Sequence, residues 1–188
     1  MKARDGAILD ASGLNTDRPE TIGTWRGRID PLNPRPEEIR LDDIAHALAR
    51  ICRYGGHCDG FLSVARHSIW VSDELHAFGP EMQFVGLMHD APEAYIGDLP
   101  RPIKRSDAMQ VFRDADEKLE ACIAEVFGLP HPLPDEVIEA DRYVLVEREL
   151  PDLRYSHLGD YRLDESDFLT RFRQLCRDTG RDWKASLR

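Results

Sequence analysis

The chain has 188 residues with 35 acidic and 25 basic side chains, a formal net charge of −10 at pH 7, which disfavours general affinity for the nucleic-acid backbone. Hydrophobic residues make up 41% and charged residues 32%, an ordinary composition for a globular protein. No apolar run approaches the roughly 18 residues that a membrane helix requires, and the N-terminus lacks the apolar stretch of a secretion signal, so we expect a cytoplasmic protein with no membrane or nucleic-acid partner.

The length and composition predict one domain. Residues 1–20 are polar and contain glycine, and we expect them to form a loosely ordered N-terminal segment. Residues 21–188 then form the single domain. It begins with a small β-hairpin within residues 21–34, where the pattern alternates around Gly27 and ends in two prolines.

Apolar residues recur at helical spacing through the rest of the chain, as at Ile44, Leu48 and Ile51. This spacing predicts an all-α domain behind the hairpin. In the third predicted helix, Pro92 lacks a backbone N–H and should disturb the winding. The predicted helices cover residues 40–54, 60–79, 81–97, 106–127, 134–150 and 164–180.

Four polar residues interrupt apolar stretches of three predicted helices: His67, His89, Asp90 and Asp141. An unpaired buried carboxylate is costly, so a cation is expected beside it. Two neutral imidazoles and two carboxylates suit a divalent first-row metal. Taken singly, each residue also has a structural interpretation, such as a hydrogen-bonded helix histidine or an aspartate paired with an arginine. The residues alone leave both interpretations open.

The order of these residues resembles the HD-domain phosphohydrolases, with a histidine on one helix, a His-Asp doublet on the next and a lone aspartate on a later helix. The segments ARHS, MHDAPEAYIGDLPRPIK and EADRYVL are similar to the bacterial 5'-deoxynucleotidases of that superfamily. The stretch DIAHALARICRYGGH resembles a compact set of HD proteins that includes phage dATP triphosphohydrolases. The resemblance covers residues 25–150 and implies an HD-domain helical bundle.

The resemblance also implies that His67, His89, Asp90 and Asp141 bind one divalent ion, which is Co, Mn, Zn, Fe or Mg. Adjacent residues of an α-helix point about 100° apart. His89 and Asp90 therefore reach one ion only if the helix turns there, and Pro92 is the residue that we expect to cause the turn. Regular helical geometry through residues 91–93 would argue against this hypothesis.

Catalytic roles are implied for Glu93, Asp98 and Asp141. Glu93 follows Asp90 by three residues and shares its helix face, where it would transfer a proton or place the attacking water. Asp98, in the GDLP segment, would lie near the sugar and the leaving oxygen. Asp141 would bind the ion and also accept a hydrogen bond from the water. The structural alternatives are an exposed, ion-paired glutamate for Glu93 and a turn aspartate for Asp98.

Substrate binding is implied for Arg53, Tyr54, Arg101 and Lys104. Arg53 precedes His67 by fourteen residues, as does the phosphate-binding arginine of the family, and a planar guanidinium can bind two phosphate oxygens at once. Lys104 and Arg101 lie in the basic segment after the GDLP turn. Tyr54 would stack on or limit the sugar or base. A surface arginine and a core tyrosine are the structural alternatives.

The implied activity is hydrolysis of the 5'-phosphate or phosphates of deoxynucleotides such as dAMP or dATP, by water activated at the metal. Monophosphate and triphosphate substrates both remain open. Two other functions also remain open: a catalytically inactive sensor or assembly module that binds nucleotide or metal, and a structural bundle with solvated acidic groups. The resemblance further implies a homo-oligomer, either a dimer or a larger assembly.

Overall fold

The computed structural model describes residues 21–149 and 159–182. These residues are all-α apart from a small antiparallel hairpin in which Ile22 pairs with Ile29, so the predicted fold class is confirmed. The segment 1–20, which we expected to be loosely ordered, lies outside the described residues. The elements are β1 Ile22–Gly23, β2 Arg28–Ile29, α1 Leu41–Leu48, α2 Val64–Glu74, α3 Pro80–Met88, α4 Glu93–Ile96, α5 Arg101–Lys104, α6 Gln110–Phe127, α7 Asp135–Tyr143, a π-helix Val144–Glu149, and α8 Tyr161–Thr179.

The first two helices are shorter than their hydrophobic patterns predict. Helix α1 ends at Leu48 rather than near residue 54. Tyr54 and Gly55 have φ values of 57° and 60°, which a right-handed helix does not accommodate. Helix α2 begins only at Val64, because the Ser63 hydroxyl accepts the Arg66 backbone N–H at 3.0 Å and caps the helix.

Two further predicted helices are interrupted in the structure. The helix expected over residues 81–97, with a disturbance at Pro92, is divided by a turn into α3 and α4. The helix expected over residues 134–150 is an α-helix only to Tyr143 and then widens into the π-helix Val144–Glu149. Short π-helical turns are rare and occur frequently at functional sites.

The main core lies where α2, α3 and α8 pack together. The Phe172 ring of α8 lies 5.2 Å from the Phe84 ring of α3 and 5.8 Å from the Phe127 ring of α6, measured between centroids. Removing one such ring from water stabilises the fold by about 1.5–3 kcal/mol. Within the described ranges, no helix combines the length and apolar character needed to cross a membrane.

A buried polar cluster anchors the helix that carries His67. The Asp164 carboxylate of α8 accepts the Ser63 hydroxyl at 2.6 Å and the Arg66 guanidinium at 2.7 Å. These bonds join α8 to the first turn of α2. On its other side, α2 approaches α3 closely at Gly86, where a β-carbon would overlap the Leu75 side chain. The position of His67 relative to α3 is therefore set by packing on two sides.

Candidate metal centre

His67 lies on α2 and is completely buried. Its Nδ1 is 2.6 Å from the Glu149 Oε1 atom, and its Nε2 faces His89, Asp90 and Asp141. An ionised carboxylate has only acceptors, so Nδ1–H donates to Glu149 and the Nε2 lone pair is left for another partner.

His89 is held in the corresponding way at the end of α3. Its Nδ1–H donates to the Gly86 carbonyl at 2.8 Å, and its Nε2 lies 3.3 Å from the His67 Nε2. In neutral imidazoles with both Nδ1 atoms engaged as donors, the two Nε2 lone pairs would face each other. Such a pair requires a proton or a metal cation between or beside the two nitrogens, so the donor set fits a bound cation.

Two carboxylates complete the cluster. Asp141 Oδ1 on α7 is 3.1 Å from His67 Nε2 and 4.0 Å from His89 Nε2. The ligand atoms of His67, His89 and Asp141 all lie within 4.8 Å of one another. Asp90 contacts both histidines, with Oδ2 at 3.5 Å from His67 Nε2 and Oδ1 at 3.2 Å from His89 Nε2. The four residues predicted as ligands therefore converge on one place.

The imidazoles and carboxylates of the cluster stabilise each other's charged forms. Burial favours neutral forms, but the Asp90 carboxylate, its hydrogen bond and Asp141 outweigh this effect and raise the pKa of His89 to about 9. Burial likewise opposes ionisation of Asp90, yet His89, His67 and Arg53 hold its pKa well below the usual range. The pKa of Asp141 is lowered because the hydrogen bond from His67 and the charge of His89 overcome burial. The carboxylates therefore stabilise positive charge at the imidazoles.

The backbone after His89 leaves the regular α-helix, as it must if the adjacent residues His89 and Asp90 are both to face one ion. Ala91 N–H donates to the Met88 carbonyl and Glu93 N–H donates to the Asp90 carbonyl, both at 3.0 Å. These bonds span three residues rather than the four of an α-helix. Pro92 has no N–H with which to bond the Met88 carbonyl, the partner that α-helical geometry would give it. The interrupted winding agrees with the hypothesis that Pro92 helps both doublet residues to face one point.

A cleft of about 490 Å³ opens beside the cluster. His67 lies behind its wall, whereas the other nine residues predicted for the site line it: Arg53, Tyr54, His89, Asp90, Glu93, Asp98, Arg101, Lys104 and Asp141. The described structure therefore brings all ten predicted residues to one cleft.

Arg53 is the most deeply placed cation of this cleft, with a side chain 12% exposed. Its Nε and Nη2 atoms each lie 3.1 Å from Glu149 Oε2, and its Nη1 lies 3.7 Å from Asp90 Oδ2. Burial opposes its charge, but Glu149, Asp90 and Asp98 raise the pKa of Arg53 further above its usual value. The guanidinium is therefore a fixed positive charge beside the proposed cation.

The other two predicted cations have carboxylate partners. Lys104 Nζ lies 2.5 Å from Asp116 Oδ2, and Arg101 Nη2 lies 3.4 Å from Asp141 Oδ2. Arg101 is the more exposed side chain, at 55% against 32% for Lys104. An ion pair of an exposed side chain is weak, so a phosphate can compete for Arg101, whereas the Lys104 pair is shorter and only partly exposed.

The pKa values of both predicted proton-transfer groups are raised. Burial, followed by the charges of Asp90 and Asp98, raises the pKa of Glu93 to about 10. Its Oε2 is buried and has no hydrogen-bond partner among the described residues. Burial also raises the pKa of Asp98, and Arg53 only partly offsets this effect. Without a metal, the site therefore favours a protonated Glu93, and this residue lines the cleft.

We expect Glu93→Gln to stabilise the metal-free protein at alkaline pH by about 1–3 kcal/mol. Because the folded-state pKa of Glu93, about 10, lies above its ordinary value of 4.5, stability is lost as pH rises between these two values. The neutral amide removes this loss. Thermal unfolding in chelator from pH 5 to pH 9 measures the effect, with exposed Glu117→Gln as the control. Parallel pH profiles of wild type and Glu93→Gln would contradict the prediction.

Sequence reasoning missed Glu149 and Asp116. Glu149 contacts His67, Arg53 and Tyr54 although it is distant from all three in sequence. It lies at the end of a predicted helix, beside exposed Glu147, and no spacing rule distinguishes the two glutamates. Asp116 is on α6 and pairs with Lys104 across twelve residues. An acidic residue on that amphipathic helix resembles any solvated one.

Comparisons with known proteins identify relatives but not an activity. No family model matches the chain. It is 39% identical over 127 residues to the uncharacterized protein YfdR of Escherichia coli strain K12, covering 66% of this chain and 67% of that protein. It is also 39% identical over 114 residues to an uncharacterized protein of Rhodobacter capsulatus, covering 57% of each chain. At this identity and coverage, the chain belongs to the family of the uncharacterized Escherichia coli protein YfdR.

Proposed function

We propose that this protein is an HD-domain, metal-dependent phosphohydrolase that cleaves the 5'-phosphate or phosphates of deoxynucleotides. The observation that carries the proposal is the convergence of His67 Nε2, His89 Nε2 and Asp141 Oδ1 within 4.8 Å at the wall of a cleft that also contains Arg53. A cation site beside a buried guanidinium is suited to a phosphate group, since phosphoryl transfer depends chiefly on stabilising charge.

The cation site would hold one divalent ion through His67, His89, Asp90 and Asp141. Two imidazoles with two carboxylates accept Co, Mn, Zn or Fe, and Mg more weakly. When bound, such an ion supplies Lewis-acid charge and an acidified water.

Arg53 would bind the phosphoryl oxygens. Glu149 occupies its Nε and Nη2 edge, which leaves Nη1, directed toward Asp90, available to the substrate. Lys104 and Arg101 would add charge on the other side of the cleft when phosphate displaces their carboxylate partners. Tyr54, which lines the same cleft, would contact the sugar or base.

Glu93 would donate the proton that the leaving oxygen requires. A carboxylic acid with a pKa of about 10 is protonated at neutral pH, and an acid of this kind can act as proton donor to an oxyanion. Asp98, whose pKa is also raised, would assist near the leaving group. Asp141 would accept a hydrogen bond from the attacking water.

The proposed setting is the cytoplasm, with a small-molecule nucleotide as substrate and a dimer or larger assembly of this chain as the working form. The substrate and the assembly follow from the resemblance of the site residues, and the setting follows from the sequence pattern; none of them follows from the comparisons with relatives.

Product analysis tests the proposal. Purified protein is incubated with dAMP and with dATP in the presence of Mn²⁺, Co²⁺, Zn²⁺ or Mg²⁺, and the products are resolved by ³¹P NMR. We expect inorganic phosphate from dAMP or inorganic triphosphate from dATP, with loss of turnover in chelator. A metal-loaded protein that binds nucleotide and turns over neither compound would contradict hydrolysis and favour a sensor.

A further inference from the structure

Glu149 joins two parts of the site that the sequence treats separately. Its side chain is completely buried. Its Oε1 accepts from His67 Nδ1 at 2.6 Å, and its Oε2 accepts from the Tyr54 hydroxyl at 2.6 Å and from Arg53 Nε at 3.1 Å. We propose that Glu149 is a positioning residue that couples the cation site to the phosphate-binding arginine; this inference rests on the proposed function.

The first half of the coupling acts through His67. Asp141 and Glu149 belong to one continuous helical segment, and they contact opposite nitrogens of the same imidazole, at 3.1 and 2.6 Å. Glu149 fixes the hydrogen on Nδ1 and so directs the Nε2 lone pair at the cation site. A carboxylate in this position also raises the basicity of an imidazole ligand.

The second half acts through Arg53 and Tyr54. The Oε2 atom accepts from Nε and Nη2 of Arg53, both at 3.1 Å. This grip turns the remaining Nη1 toward Asp90 and the cleft. The Tyr54 hydroxyl bond holds a tyrosine whose φ is 57°. Such a conformation costs on the order of 1–3 kcal/mol and persists only when surrounding contacts hold it.

The π-helix places Glu149 where its side chain contacts both His67 and Arg53. Asp141 lies before it on α7 and Glu149 is its last residue, so the wide winding sits between the two carboxylates that hold His67. A substitution of Glu149 should therefore change cation binding and phosphate binding together. A substitution of a metal ligand should change cation binding, and a substitution of a phosphate contact should change phosphate binding.

Calorimetric titration with Co²⁺, without nucleotide, measures the first half, and the KM of the preferred deoxynucleotide at saturating Co²⁺ measures the second. We expect Glu149→Ala to raise the Co²⁺ Kd about 10–100-fold and to raise KM as well. In Glu149→Gln, the side-chain amide has one oxygen that accepts and one NH₂ group that donates, whereas the carboxylate accepts from His67 on one oxygen and from Tyr54 and Arg53 on the other. The substitution must therefore impair at least one of the two constants, the Co²⁺ Kd or KM. Glu147→Gln, exposed in the same π-helix, should leave both unchanged.

A folded Glu149→Ala variant in which either constant stays within about twofold of wild type would overturn the inference. If Glu149→Ala fails to fold, the nearly isosteric Glu149→Gln decides, and the inference is overturned if both of its constants stay within about twofold of wild type. Wild type that turns over no nucleotide defeats the proposed function, yet the Co²⁺ titration still decides whether Glu149 supports the cation site. Wild type that binds no Co²⁺ overturns both.

Discussion

Replacing His67 with alanine is expected to abolish stoichiometric binding of a divalent ion and, with it, nucleotide hydrolysis. His67 Nε2 lies 3.3 Å from His89 Nε2 and 3.1 Å from Asp141 Oδ1, so its removal takes a nitrogen ligand out of the centre of the cluster. The loss should exceed the roughly 100-fold that removal of an outer partner of a metal ligand costs. Elemental analysis of the purified chain and phosphate release at saturating metal measure the two effects.

His76→Ala is the matched control, because His76 is an exposed histidine that follows α2 and should bind no metal. His67→Ala also leaves the buried Glu149 without one of its donors, which destabilises the fold. The nearly isosteric Asp141→Asn therefore serves as a second variant, for which we expect weakened metal binding in a folded chain. Wild-type metal content in folded His67→Ala would contradict the metal centre.

Arg53→Lys is expected to lower kcat/KM by about 10–150-fold while the bound metal is retained. A hydrogen bond to a charged group contributes about 1.5–3 kcal/mol, and each 1.4 kcal/mol is a factor of ten. Lysine keeps the charge beside Glu149, but its ammonium cannot reproduce the guanidinium geometry in which Nε and Nη2 bind Glu149 while Nη1 stays available to the phosphate. Steady-state kinetics with the preferred nucleotide measures the loss.

The control for this substitution is Arg105→Lys, which changes an exposed arginine near the cleft and should leave the kinetics unchanged. A charge-only role for Arg53 predicts that lysine substitutes fully. Unchanged kcat/KM in Arg53→Lys would therefore exclude recognition of phosphate by the guanidinium.

The fold class was predictable from the helical spacing of apolar residues, which is a local pattern. The polar residues that interrupt those faces left both a metal site and separate structural roles open, and their grouping into one site was predicted from the resemblance. The order of His67, His89–Asp90 and Asp141 then resembled a known arrangement. The structure places these residues in one cluster, although their ability to bind metal stays a prediction.

The points at which the helices are interrupted were harder to predict from the sequence. Pro92 signalled a disturbance, because the missing N–H is a property of one residue. The left-handed conformation of Tyr54 had only an indirect signal in the two glycines that follow it, since a tyrosine rarely adopts positive φ. The π-helix Val144–Glu149 had no signal at all, and a regular α-helical pattern continues through it.

Glu149 and Asp116 were missed for a related reason. Their importance depends on which residues face them across the fold, as His67 faces Glu149 and Lys104 faces Asp116. Acidic residues are common on helices, so type and spacing alone do not distinguish a buried acceptor from a solvated one.

X-ray absorption spectroscopy of the protein loaded with one equivalent of Co²⁺ tests the metal centre most directly. We predict one ion per chain, with two imidazole nitrogens and carboxylate oxygens in its coordination shell, and loss of one imidazole signal in His89→Ala. A shell of oxygens alone, or the absence of stoichiometric binding, would contradict the shared cation on which the proposed hydrolysis depends.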